Sequence, residues 1–137
     1  MSARILLIED DPVWEDSIVS SLEAAGYAMD VARTVADANE ILGLGGESSG
    51  QCKYDLLIID VRLPADHEGL QLVARLRELQ DQDHVPLDRQ PRVIVSTVLN
   101  HVAVAEWTDK ARWNVFLVKP YEIRALMEAV RECLSGA

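Results

Sequence analysis

The chain has 137 residues, 49% of them apolar, which suits one domain with a sizeable core and is too apolar for a disordered chain. Its 13 basic and 23 acidic residues leave a net charge of −10, which argues against direct binding of nucleic acid or an anionic membrane, since both repel it. No apolar stretch approaches the roughly 20 residues that cross a bilayer, no signal-peptide layout opens the chain, and Cys52 and Cys133 lack the spacing of a metal site or a disulfide framework. A cytoplasmic protein with buried or neutral thiols is expected.

Short apolar runs alternate with amphipathic segments, which predicts a parallel sheet covered on both faces by helices. The first strand is Arg4–Ile8. Asp11-Pro12 reads as an N-cap followed by proline at the first helical position. The helix it opens carries Ile18, Leu22 and Ala25 at helical spacing and stops at Gly26. A second strand spans Tyr27–Ala32, and Thr34 with Asp37 makes a capping-box-like start to a helix through Leu42. Gly43–Lys53 holds four of the seven glycines together with Ser48 and Ser49 and is expected to be a mobile loop.

The third strand is predicted over Tyr54–Ile59, followed by a helix from about Glu68 to Gln80 with Leu72, Val73, Leu76 and Leu79 on one face. Asp81–Pro91 is polar, contains two prolines and reads as a surface loop. Strand four is Arg92–Val95 and strand five is Val115–Val118, with Asn100–Lys110 between them as a helix lacking clear caps. The last helix carries a stripe of Ile123, Leu126, Met127, Val130 and Leu134. Five strands thus alternate with five helices, in one domain covering 1–137.

Four of the apolar runs end in a reactive polar group: Ile5–Ile8 in Glu9-Asp10-Asp11, Tyr54–Ile59 in Asp60, Val93–Val95 in Ser96, and Phe116–Val118 in Lys119. In an open parallel sheet the carboxyl ends of the strands are where ligands bind. Three acids, a hydroxyl and a lysine converging there have the composition of a metal-dependent phosphoryl-transfer site. A carboxylate can accept a phosphoryl group as an aspartyl phosphate, and Asp60 is the candidate because it terminates the most apolar strand. An anion attacking an anionic group needs charge neutralisation, usually from Mg²⁺ and a cationic side chain. Glu9 and Asp10 offer hard oxygens that suit Mg²⁺. Lys119 supplies a point charge and Ser96 a hydroxyl donor, whereas Asp11 reads as a helix cap. Each group taken singly has a plainer reading as a turn or loop residue. Their joint order at four successive strand ends is what points to chemistry.

These residues also carry a resemblance. The run Ile5-Leu6-Leu7-Ile8-Glu9-Asp10-Asp11-Pro12, the segment Asp60-Val61-Arg62-Leu63-Pro64, the run Pro91 to Ser96, and Lys119-Pro120 resemble the receiver domain of two-component response regulators over nearly the whole chain. The resemblance implies a doubly wound, flavodoxin-like (βα)5 fold with strand order 2-1-3-4-5. It implies that Asp60 takes a phosphoryl group from a phosphohistidine on a sensor histidine kinase or a histidine phosphotransfer protein. Mg²⁺ would be held by Glu9, Asp10, Asp60 and the backbone carbonyl of Arg62. Ser96 would move to bond the phosphoryl group, Phe116 would change rotamer with it, and Lys119 would contact a phosphoryl oxygen across from an often-cis bond to Pro120. The result would be reported to a downstream protein through the surface of the fourth helix, fifth strand and fifth helix, roughly Val98–Leu134. A homodimer is a further partner the resemblance allows.

Some positions depart from the family pattern. The Gly43–Lys53 and Asp81–Gln90 loops are longer, and Pro64–Gly69 gains a residue. Thr97 stands where alanine or glycine is usual, Arg112-Trp113 replaces a common Gly-Ala pair, and Phe116 lacks a hydroxyl. Arg62 and Val98 lie two residues beyond Asp60 and Ser96, where the family tunes dephosphorylation. Trp107 and Trp113 read either as partner anchors or as partly buried fillers. His67, His84 and His101 read as solvated loop residues, with His67 nearest the site. The short stretch after Pro120 leaves room for one helix, so a stand-alone phosphoacceptor that is not a turnover enzyme is expected. The alternatives are a phosphorylation-independent binding module and a Mg²⁺-dependent phosphatase or nuclease-like enzyme. The last of these usually needs an Asp-x-Asp pair, which Asp60-Val61-Arg62 does not supply.

Overall fold

The computed structural model describes residues 3–44, 52–61, 68–97, 111–112 and 114–135. Its elements are β1 (Arg4–Ile8), α1 (Pro12–Ala24), β2 (Ala28–Ala32), α2 (Val35–Leu42), β3 (Leu56–Val61), α3 (Glu68–Gln82), a 3-10 turn (Leu87–Arg89), β4 (Arg92–Thr97), β5 (Val115–Val118) and α4 (Ile123–Leu134). The strands form one sheet in the order β2-β1-β3-β4-β5, and every neighbouring pair is parallel. The expected helix over Asn100–Lys110, the tryptophans Trp107 and Trp113, and most of the glycine-rich loop lie outside the described residues.

Alternation along the strands divides the core into two layers. Leu6, Ile8, Leu57, Ile59, Val93 and Val95 face α2 and α3, packing with Ala38, Leu42, Leu70, Val73 and Leu76. Ile5, Leu7, Leu56, Ile58 and Ile94 face α1 and α4, packing with Ile18, Leu22, Leu126 and Val130. Both faces are buried, so β1, β3 and β4 read as unbroken apolar runs rather than alternating ones.

Local chemistry sets the helix ends. Asp11, in extended conformation, accepts a 2.9 Å bond from the Val13 amide, with Pro12 at the first helical position. Thr34 accepts from the Asp37 amide at 3.0 Å, and α2 ends on Gly43 at φ +68.

Three boundaries differ from expectation. β3 runs over Leu56–Val61, two residues later than the apolar run suggests. Tyr54 is buried as a core side chain with its hydroxyl bonded to Asp30 Oδ2 at 2.6 Å, while ladder pairing starts at Leu56 and continues through Asp60↔Ser96 and Val61↔Thr97. Apolarity marks burial, whereas strand pairing only needs a neighbouring backbone, so β4 likewise extends past Val95 to Thr97. β2 starts at Ala28 because the Tyr27 amide closes the end of α1 by donating to Leu22 O at 3.1 Å, beyond Gly26 at φ +98.

The polar segment after α3 is not a plain surface loop. α3 continues to Gln82, and Gln90 is buried between its partners. Buried Arg77 of α3 donates to Ala111 O (3.0 Å), Gln90 Oε1 (3.4 Å) and Arg112 O (3.3 Å). Arg112 in turn donates to both Asp81 oxygens at 3.0 and 3.2 Å and to Gln90 Oε1 at 2.6 Å. These bonds hold Arg112 at φ +51, the left-handed region that favours glycine. The departure from a Gly-Ala pair is therefore compensated by a network that the chain supplies itself.

Candidate functional site

The site follows from strand periodicity carried one step past the core. Side chains two apart on a strand share a face, so Leu7 leads to Glu9, Ile58 to Asp60, Ile94 to Ser96 and Leu117 to Lys119. All four polar groups thus continue the α1–α4 face at the carboxyl edge of the sheet. Backbone pairing keeps the edge in register: the Glu9 amide donates to Ala32 O at 3.0 Å, and Asp60 sits opposite Ser96.

One carboxylate oxygen from each of Glu9, Asp10 and Asp60 lies within 4.8 Å of the others, close enough to hold a metal ion. Lys119 Nζ reaches across from the end of β5, 2.7 Å from Glu9 Oε1 and 3.3 Å from Asp60 Oδ1. The Lys119–Pro120 peptide is cis. Burial pushes the Glu9 carboxyl up to about 7, against the lowering effect of Lys119 and with further upward pressure from Asp60. Burial works against the Lys119 ammonium, but Glu9 and Asp60 outweigh it and raise its pKa. Asp11 points to its own helix as a cap rather than into the cluster.

Ser96 is buried at the end of β4, and its Oγ donates to Tyr121 Oη at 3.0 Å. Phe116 pairs with Val95 and packs against the α2–α3 layer, the opposite face from Ser96. Arg62, His67 and Val98 lie outside the described residues, and His84 is exposed at the end of α3.

Two contributors escape a reading of strand ends. Trp14 stacks at a tilt on Tyr121, ring centroids 5.0 Å apart and planes 40° inclined, and Lys119 Nζ sits 5.3 Å over the Trp14 ring. Trp14 was legible as the first member of the helical stripe Trp14, Ile18, Leu22, which runs toward the carboxyl edge of the sheet. Tyr121 follows Lys119-Pro120 directly, and its hydroxyl was the available signal.

The donor set is all hard oxygen, from buried Glu9, half-buried Asp60 and exposed Asp10, with Lys119 paired to the first two, which fits Mg²⁺ better than a softer metal. The arrangement juxtaposes a carboxylate nucleophile, a cation and a hydroxyl donor, the parts that phosphoryl transfer uses for positioning and charge balance.

Comparison with known proteins agrees with this fold. Residues 5–131 match the family of response regulator receiver domains. The transcriptional regulatory protein PmrA of Pectobacterium parmentieri is 28% identical over 93% of the chain and 50% of its own length. BasR of Escherichia coli, also a transcriptional regulatory protein, is 32% identical over 96% of the chain and 52% of its own length. The chain thus spans about half the length of the curated relatives it matches. Among solved structures, a CheY-like receiver domain protein from Methanospirillum hungatei superposes with a TM-score of 0.74 at 24% identity, covering 98% of this chain and 95% of its own. Chemotaxis protein CheY4 of Vibrio cholerae gives 0.75 at 19% identity, with 98% and 100% covered. At such identities these two likenesses speak to the fold alone. Among the described residues, no helix is long and apolar enough to cross a membrane.

Proposed function

The chain belongs to the response regulator receiver family, and from that premise we propose that residues 1–137 form one receiver domain whose Asp60 accepts a phosphoryl group. The donor is a phosphohistidine on a sensor kinase or phosphotransfer protein. An Asp60 carboxylate oxygen attacks phosphorus and forms the new O–P bond. The P–N bond to the donor imidazole breaks, its electron pair stays on the ring nitrogen, and that nitrogen is protonated from solvent.

Glu9, Asp10 and Asp60 would hold Mg²⁺, whose charge offsets the repulsion between the carboxylate and the incoming phosphoryl oxygens. Lys119 holds the acceptor carboxylate at 3.3 Å and lies within reach of a phosphoryl oxygen there. Ser96, opposite Asp60 on the neighbouring strand, supplies the hydroxyl that bonds the product. Phosphorylation then biases a two-state equilibrium, read by a protein partner on the surface from about Val98 to Leu134. The net charge of −10 favours such a partner over nucleic acid for this segment, although curated relatives include a regulator described as DNA-binding. The domain is a signalling module that acts in a cytoplasm, not a turnover enzyme.

The observation that carries this reading is the meeting of Glu9, Asp10 and Asp60 within 4.8 Å, with Lys119 bridging two of them. Incubation with acetyl phosphate and Mg²⁺ tests it by intact mass. A gain of one phosphoryl group, lost in base and absent in Asp60→Asn, is expected. No gain would favour a phosphorylation-independent binding module.

A further inference from the structure

Resting on the reading of Asp60 as phosphoacceptor and Ser96 as its switch hydroxyl, we infer that Tyr121 is a positioning residue that holds Ser96 in the unphosphorylated arrangement and opposes the switch. A serine hydroxyl has one hydrogen to donate. In this structure the Ser96 hydroxyl is bonded to Tyr121 Oη at 3.0 Å, in a site where Ser96 is 2% exposed. To donate to a phosphoryl oxygen on Asp60, Ser96 must give that bond up.

Tyr121 is not a loose acceptor. Its ring is held by Trp14 at 5.0 Å, Trp14 lies under the Lys119 ammonium at 5.3 Å, and the same ammonium pairs with Glu9 and Asp60. Pro120 alone separates Tyr121 from Lys119 in the chain. A lysine that turns toward a new phosphoryl oxygen therefore disturbs the ring that fixes Tyr121, and the hold on Ser96 is released by the event it opposes. Phe116 offers no hydroxyl for this purpose and packs on the other face of the sheet.

Losing one neutral hydrogen bond from the resting state alone should shift the equilibrium roughly three- to tenfold. The test is a titration with beryllofluoride at saturating Mg²⁺, followed by fluorine NMR, on the wild-type chain, Tyr121→Phe, Ser96→Ala, the double variant and Asp60→Asn. Tyr121→Phe should lower the half-saturating beryllofluoride concentration roughly three- to tenfold, and the same substitution in the Ser96→Ala background should leave it unchanged. A half-saturation that is unchanged or raised by Tyr121→Phe overturns the proposal, since the hydroxyl would then be idle or assisting. An equal effect with and without Ser96 also overturns it, because Tyr121 would be acting through packing. A thermal-unfolding cycle of the two substitutions without beryllofluoride separates the Tyr121–Ser96 bond from the phosphoacceptor role of Asp60. Absence of coupling there overturns the Tyr121 proposal by itself. Coupling in a wild-type chain that ignores beryllofluoride overturns the phosphoacceptor reading, and leaves Tyr121 nothing to oppose.

Discussion

Gly69 lies in the first turn of α3, against the strand that carries Asp60. A Cβ built there would stand 2.8 Å from Ile59 Cγ2 and 3.7 Å from the Asp60 carbonyl oxygen. Carbon atoms in contact prefer about 3.5–4.0 Å, so the first distance demands a real displacement. Ile59 is fully buried in the α2–α3 layer and has no free end to swing aside. Gly69→Ala therefore overpacks the core, at about 1–3 kcal/mol, offset by at most about 1 kcal/mol of helix propensity. A net loss of about 1–2 kcal/mol is expected, lowering Tm by roughly 3–8 °C for a chain of this size. Urea and thermal unfolding read it directly. In an Ile59→Leu background the branch leaves Cβ, so the added loss should shrink. A Tm that stays level or rises in Gly69→Ala, or an equal loss in both backgrounds, would refute the contact argument. The same displacement reaches Asp60 next in the chain, so acetyl phosphate labelling should slow as well.

Other outcomes follow from the site and its surroundings. Glu9 has a folded-state pKa raised to about 7 from 4.5, so between those values the folded chain holds more protons than the unfolded one. Its contribution is full below the unfolded pKa and fades as pH rises through 7, by up to about 3 kcal/mol in metal-free protein. Urea titrations at about pH 5 and about pH 8 should show this decline, and Glu9→Gln should flatten it; a decline of the same size in Glu9→Gln contradicts the assignment. Lys119→Met should slow phosphorylation by about 10²- to 10³-fold, the scale of losing one charge-stabilising donor, as measured by initial labelling rates. Chelating divalent ions should abolish labelling, and Mg²⁺ should restore it. Arg77→Met removes the guanidinium's bonds to the carbonyls of Ala111 and Arg112, and urea unfolding should register a loss of about 1–3 kcal/mol.

The apolar runs and their polar ends made the sheet, its layers and the carboxylate cluster legible, because buried strands in parallel sheets advertise themselves by hydrophobicity. The ends of β3 and β4 were less legible, since Asp60, Ser96 and Thr97 stay in the ladder through backbone pairing that side-chain polarity does not report. Tyr54 looked like a strand residue because it is apolar and buried, yet its burial serves packing and a bond to Asp30. The Arg77–Gln90–Arg112–Asp81 network was invisible because it joins a helix, a loop and a turn far apart in the chain, and nothing in their spacing links them. Tyr121 is illegible for a similar reason: its meaning is the 3.0 Å approach to Ser96, 25 residues away in sequence.

Every step proposed for the site depends on Asp60 being the residue that carries the phosphoryl group. Labelling with acetyl phosphate and Mg²⁺, followed by borohydride reduction and peptide mass spectrometry, tests it most directly, because reduction converts an aspartyl phosphate to homoserine and fixes its position. Homoserine should appear at position 60 and at neither Asp10 nor Asp11. Homoserine at another aspartate, or a phosphoryl group that survives base on a hydroxyl, would rule Asp60 out as the acceptor.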